Sequence, residues 1–130
     1  MGNLTENFSI EEFQCQGSQC CGHSAPINFQ LVEALQQLRD MTGPLTILSG
    51  FRCQTHNKKI GSQPTSQHCL GNAADVMLPP GYSIIEFAAK AQTISAFRHG
   101  GIGLYEKNCF VHLDIRNTGL ARWGFEESKA

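Results

Sequence analysis

Apolar residues recur along this chain in two rhythms, and the change from one to the other marks its elements. Leu31, Leu35 and Leu38 repeat at spacings of four and three with Val32 beside them, which predicts one apolar stripe along a helix. Asn28 stands where the cap of that helix belongs, and Gly43-Pro44 stops it. A second stripe, Ile84, Phe87, Ala88 and Ala91, opens on Ser83 with Glu86 three residues later, the spacing of a capping box. This helix is expected to run to about Phe97, before His99-Gly100-Gly101 ends it. Ser9 and Glu12 share the same spacing and predict a short helical turn into Phe13, and another single turn is expected within residues 55–60. Strands are expected at Leu45–Leu48, Ala73–Leu78, Ile102–Tyr105 and Phe110–Ile115, the last two joined by Glu106-Lys107-Asn108 as a hairpin. The tail, with Trp123 and Phe125, is expected to return over the sheet edge. The pattern reads as α+β, helices packed on a small antiparallel sheet, in a single domain over residues 1–130.

Strand alternation also sorts the polar residues. Val111, Leu113 and Ile115 share one face and belong to the core, which leaves Phe110, His112 and Asp114 together on the other, expected to be open. The same parity carried back to Cys109 sends it to the core side. Asp75 lies within an apolar strand, where a carboxylate is costly unless paired or bound to a metal. His68 precedes Gly71, whose freedom at positive φ lets the loop fold back toward Asp75. Singly, these residues have ordinary readings: a loop histidine, a cap aspartate, a strand histidine. Together, His68, Asp75 and His112 are two imidazoles and a carboxylate, a set that leaves one corner of a tetrahedral zinc ion for water.

Composition narrows the class. The 130 residues are 41% hydrophobic and 16% charged, with a net charge of −1, the profile of a globular domain. With no basic cluster, nucleic acid is not an expected partner. No apolar run is long enough for a membrane span, and the first residues lack the pattern of a secretory signal. A monomer is the default. The six cysteines allow disulfides or free thiols, and Cys15, Cys20, Cys21 and His23 form a grouping that could hold a structural metal, although its spacing matches no standard knuckle.

One longer pattern absorbs most of these residues. Ser66-Gln67-His68-x-x-Gly71-x-Ala73-x-Asp75, followed by Phe110-Val111-His112-x-Asp114, resembles the M15 group of zinc D-Ala-D-Ala carboxypeptidases and peptidoglycan endopeptidases. Asn7-Phe8-Ser9-x-x-Glu12-Phe13, Ser49-Gly50-Phe51-Arg52-Cys53-x-x-His56-Asn57 and Gly101-Ile102-Gly103-Leu104-Tyr105 extend the likeness over nearly the whole chain. The resemblance implies one zinc ion on His68, Asp75 and His112, and a peptidase acting on the stem peptides of bacterial cell wall. It implies a substrate-gripping role for Arg52, whose guanidinium suits a carboxylate. Ser66 and Gln67 flank a ligand and are candidates for substrate contact or, equally, for support of the loop.

The general base departs from the pattern. Many relatives carry an acidic residue three before the last histidine, where this chain has Cys109. Glu106, six before His112, matches the glutamate of hedgehog-like domains, which share the fold and metal set; Asp114 is the other candidate, either as base or as a partner of a histidine ligand. The missing signal suits synthesis in the cytoplasm and delivery to the wall by phage lysis or a phage tail. The rival reading is a zinc-stabilised structural or assembly module of the same fold without turnover.

Overall fold

A computed structural model describes residues 5–13, 27–50 and 67–124. Its strands are β1 (Ile47–Ser49), β2 (Ala73–Met77), β3 (Gly101–Tyr105), β4 (Phe110–Asp114) and β5 (Ala121–Trp123). Its helices are α1 (Phe29–Thr42), α2 (Ile84–Gln92) and α3 (Ser95–Arg98). The strands form one open sheet in the order β1-β2-β4-β3-β5. The α+β class holds, with one change: β5 runs parallel to β3, so the sheet is mixed. Ala121–Trp123 therefore extend the sheet edge as a strand instead of lying across it, while Phe125 lies outside the described residues.

Local chemistry sets the helix ends. The Asn28 side chain accepts from the Gln30 N–H at 2.9 Å, and Gly43, at φ 94°, donates its N–H to the Arg39 carbonyl at 2.8 Å. Ser83 and Glu86 form the reciprocal capping box, with bonds of 2.9 and 3.1 Å. The helix that begins there stops at Gln92, five residues short of Phe97. Thr93 bonds the Lys90 carbonyl through its hydroxyl at 2.6 Å, and Ile94 takes an extended backbone that turns its side chain inward. The chain resumes as α3, which brings Phe97 into the core.

The core lies on one face of the sheet. Ala74 and Val76 of β2, Ile102 and Leu104 of β3, and Val111 and Leu113 of β4 meet Leu31, Leu35 and Leu38 of α1 and Phe87 of α2. Phe8 and Phe13 close one end. No helix among the described residues is long and apolar enough to cross a membrane.

The opposite face carries the polar residues, and it is not open. His112 is 7% exposed and Asp114 is fully buried, because Trp123, Arg116 and His68 cover them. Room for this cover comes from Gly101 and Gly103: a Cβ on the first would run into the Asp114 carboxylate, and one on the second into the Trp123 indole. The Gly-Ile-Gly stretch is thus a matter of space. Cys109 also departs from its expected place. It is exposed, in left-handed conformation (φ 56°, ψ 44°), closing the 3-10 turn Glu106–Asn108, so strand alternation begins only at Phe110.

Gly103→Ala should force the Trp123 indole off the sheet. We expect a loss of about 1–3 kcal/mol in urea unfolding and a red-shifted emission from Trp123, the chain's single tryptophan. An unchanged midpoint and spectrum would show that the indole does not depend on that gap.

Candidate metal centre

The register of the sheet assembles the centre. Asp75 of β2 pairs with His112 of β4, His112 with Gly103 of β3, and Gly103 with Trp123 of β5, so these residues form one row across the strands. Opposed residues of paired strands project to the same side. Asp75 and His112 are thereby brought together from 37 residues apart, at 3.1 Å between Oδ1 and Nδ1.

His68 reaches the row from a 3-10 turn, Gln67–Leu70. Gly71, at φ 75°, and the Asn72 N–H, which donates to the Gln67 carbonyl at 3.0 Å, fold the chain back into β2. His68 Nε2 then lies 3.2 Å from Asp75 Oδ1, and the two imidazole centroids are 5.1 Å apart. One ligand atom from each of His68, Asp75 and His112 falls within 4.8 Å of the others. The three residues singled out from the sequence do converge.

The outer nitrogen of each ring decides what the inner one offers. His68 Nδ1 lies 2.7 Å from the Gly50 carbonyl, which only accepts, so that nitrogen carries a hydrogen and Nε2 presents a lone pair. His112 Nε2 lies 2.7 Å from Asp114 Oδ2, which fixes Nε2 as the donor and Nδ1 as the lone pair. Both lone pairs face the same oxygen of Asp75. Three acceptors at such distances repel unless a cation or added protons lie among them. Two imidazole nitrogens and a carboxylate oxygen, each ring held from behind, are a donor set suited to a divalent metal ion.

The electrostatics without an ion run the same way. Burial would raise the Asp75 pKa, but hydrogen bonds with His112 and His68 outweigh it and hold the carboxyl well below the ordinary range. Burial would lower the His112 pKa, yet hydrogen bonds to Asp114 and Asp75 raise it.

Asp114 is fully engaged. Oδ1 accepts from Gly101 N–H at 2.8 Å, Arg116 N–H at 3.1 Å and Arg116 Nε at 2.9 Å; Oδ2 accepts from Arg116 Nη2 at 2.6 Å and from His112. Burial alone would raise its pKa, but the bonds from His112 and Arg116 hold it well below the ordinary range. It was expected on an open face beside His112, either as a candidate base or as the partner of a histidine ligand. The face is closed over it, and its bond to His112 is that of the histidine partner.

Glu106 lies exposed on the turn after β3, bordering a cleft of about 340 Å³ with Tyr105, Lys107, Asn108 and Trp123. Among the described residues, no hydrogen bond joins it to His68, Asp75 or His112. Gln67 Oε1 faces the Asn72 amide at 3.4 Å, a contact within the loop. Arg52 and Ser66 lie outside the described residues, as do Cys15, Cys20, Cys21 and His23. Of two further neighbours of the centre, Arg116 was not foreseen, while Trp123 was expected as a packing aromatic or a wall of the cleft. Arg116 grips Asp114, and Trp123 lies against His112 with centroids 5.0 Å apart. The Asp-x-Arg spacing at the end of β4 was the available sign of the first.

A family model described as Peptidase M15 matches residues 6–114. No curated protein matches the chain closely enough to count as a relative.

Because the metal-free centre keeps a proton on His112 to higher pH than an ordinary histidine does, metal uptake should expel that proton. Zinc affinity should therefore rise with pH through and above the usual imidazole range, then level off. Calorimetric titrations in buffers of different ionisation enthalpy measure the protons released. Affinity independent of pH between 6 and 8, on the order of the histidine range, would contradict the arrangement.

Proposed function

The chain belongs to the peptidase M15 family, a family of zinc peptidases, and on that premise we propose that it is a zinc-dependent hydrolase of bacterial cell-wall stem peptides, acting as a D,D-carboxypeptidase or endopeptidase. The observation that carries the metal half of this reading is the convergence of His68 Nε2 and His112 Nδ1 on Asp75, with the outer nitrogen of each ring bonded to an acceptor. The substrate half rests on the likeness of Ser66–Asp75 and Phe110–Asp114 to wall peptidases.

His68, Asp75 and His112 would hold one zinc ion per chain. Zinc bound there supplies a Lewis acid for the scissile carbonyl and lowers the pKa of a bound water. The protein supplies the rest. The Gly50 carbonyl and Asp114 fix the planes of the two imidazoles, so that each offers the correct nitrogen. Glu106 is assigned to take the proton from the attacking water and return it to the departing amine, the work of a general base turned acid. Asp114 has no free position for that exchange. Arg52 is assigned to grip a substrate carboxylate in bidentate fashion, with Ser66 and Gln67 alongside. Trp123 and Tyr105, joined by an indole N–H to phenol bond of 2.9 Å, form an aromatic wall beside the ligands.

One observation favours the reading without turnover. The position where many relatives carry an acid is Cys109, exposed and turned into the hairpin. A zinc-binding module of the same fold then remains as the second reading.

Purified wall digested with the zinc-loaded protein and analysed by fragment mass separates the two. Release of stem-peptide fragments that stops with a chelator and returns with zinc supports the hydrolase. Glu106→Gln should then lower kcat by roughly 10²–10⁴-fold with zinc content unchanged. A protein that holds one zinc and releases nothing is the silent module.

A further inference from the structure

Arg116 and Trp123 lie beyond the matched residues 6–114, yet both close on the metal ligand His112, one through Asp114 and one directly. We propose that Arg116 is a positioning residue of the metal centre: its guanidinium fork locks the Asp114 carboxylate in the one orientation that holds His112 with Nδ1 toward Asp75 and His68. The inference deepens the metal reading above and rests on it.

The geometry is specific. Three of the donors on Asp114 belong to Arg116, from its main-chain N–H, Nε and Nη2, and they grip both carboxylate oxygens. With the Gly101 N–H on Oδ1, they leave the carboxylate no freedom to rotate, and Oδ2 stays aimed at His112 Nε2. A planar fork achieves this; a point charge does not. The guanidinium is itself held: its carbon lies 5.7 Å from the centroid of the Trp123 ring, which touches His112 as well. Trp123 reaches that place because β5 pairs with β3 and Gly103 leaves room for the indole. The brace thus runs from an edge strand to a ligand.

Stability is a poor alternative account of this arrangement. Asp114 is fully buried and Arg116 partly exposed, and an ion pair that buries a carboxylate contributes little net stability relative to apolar residues of the same volume, because desolvation offsets the attraction. What such a pair does give is orientation, and the group oriented here is the partner of a ligand.

The test is zinc affinity, measured by competition with a chromophoric chelator, together with the absorption spectrum of the cobalt-substituted protein. Arg116→Met removes the fork and retains most of the side-chain length; Arg116→Lys retains the charge without the fork. Both should weaken zinc binding about 10–100-fold, the usual cost of losing an outer-shell partner, and shift the cobalt bands. Adding Arg116→Met to Asp114→Asn should cost nothing further, since the arginine acts through the aspartate. Thermal unfolding of the metal-free variants shows whether the fold survives. If Arg116→Lys binds as wild type, or Arg116→Met binds equally or more tightly, Arg116 acts as a charge or not at all, and the proposal is overturned. Additive losses in the double variant overturn it as well. A wild-type protein that takes up no zinc overturns the metal reading itself, an outcome distinct from normal wild-type binding with unaffected variants.

Discussion

At Asp75 Oδ1 a carboxylate oxygen faces two ring nitrogens, each of which has its other nitrogen tied to an acceptor. Such an arrangement holds together only with positive charge among the three. Most of what is unusual in this small domain follows from maintaining that convergence. The Gly50 carbonyl and Asp114 restrain the imidazoles from behind, the antiparallel register sets Asp75 against His112, and a positive-φ glycine returns the His68 turn to β2. Each restraint alone is ordinary. Their common target is one atom.

The sheet separates this task from that of stability. Its helical face buries continuous aliphatic and aromatic surface, from Phe8 to Leu113, and this burial is the main force holding the domain together. Its other face gathers two carboxylates, two imidazoles and a guanidinium with little exposure to water. Burying such groups has to be offset by paired hydrogen bonds and by apolar burial elsewhere. Because neighbouring residues of a strand face opposite ways, Val111 and Leu113 serve the core while His112 and Asp114 serve the centre, within one five-residue strand.

The edge strand β5 gives the centre its outer wall. Three residues long and parallel to its neighbour, it adds few backbone bonds, and its importance lies in where it puts Trp123. The indole stands over Gly103, against His112 and Arg116, and donates to Tyr105, which stacks on Phe110 at 4.5 Å. Ligand orientation and the aromatic border of the site are thus linked through one side chain.

Much of the domain was legible in the residue pattern, wherever the signal is local. Asn28 and Gly43-Pro44 bound α1 because a cap and a left-handed stop act within a few residues, and Ser83 with Glu86 opens α2 for the same reason. The grouping of His68, Asp75 and His112 was legible because a carboxylate in an apolar strand is costly unless something pairs with it, and because Ser66–Asp75 and Phe110–Asp114 resemble a zinc-peptidase pattern. The break after Gln92 was not legible, since the apolar stripe continues through it; the core's need for Ile94 and Phe97 ends the helix there. Strand parity placed Cys109 inside only because the turn was assumed to end one residue earlier. Of the two readings open for Asp114, base or histidine partner, the second fits the buried carboxylate that Arg116, Gly101 and Trp123 surround, and those contacts depend on strand pairing that no local pattern encodes. The sequence by itself determined which groups had to find partners; the tertiary structure alone decided which partners they found, because hydrogen bonds and ion pairs form between neighbours in space.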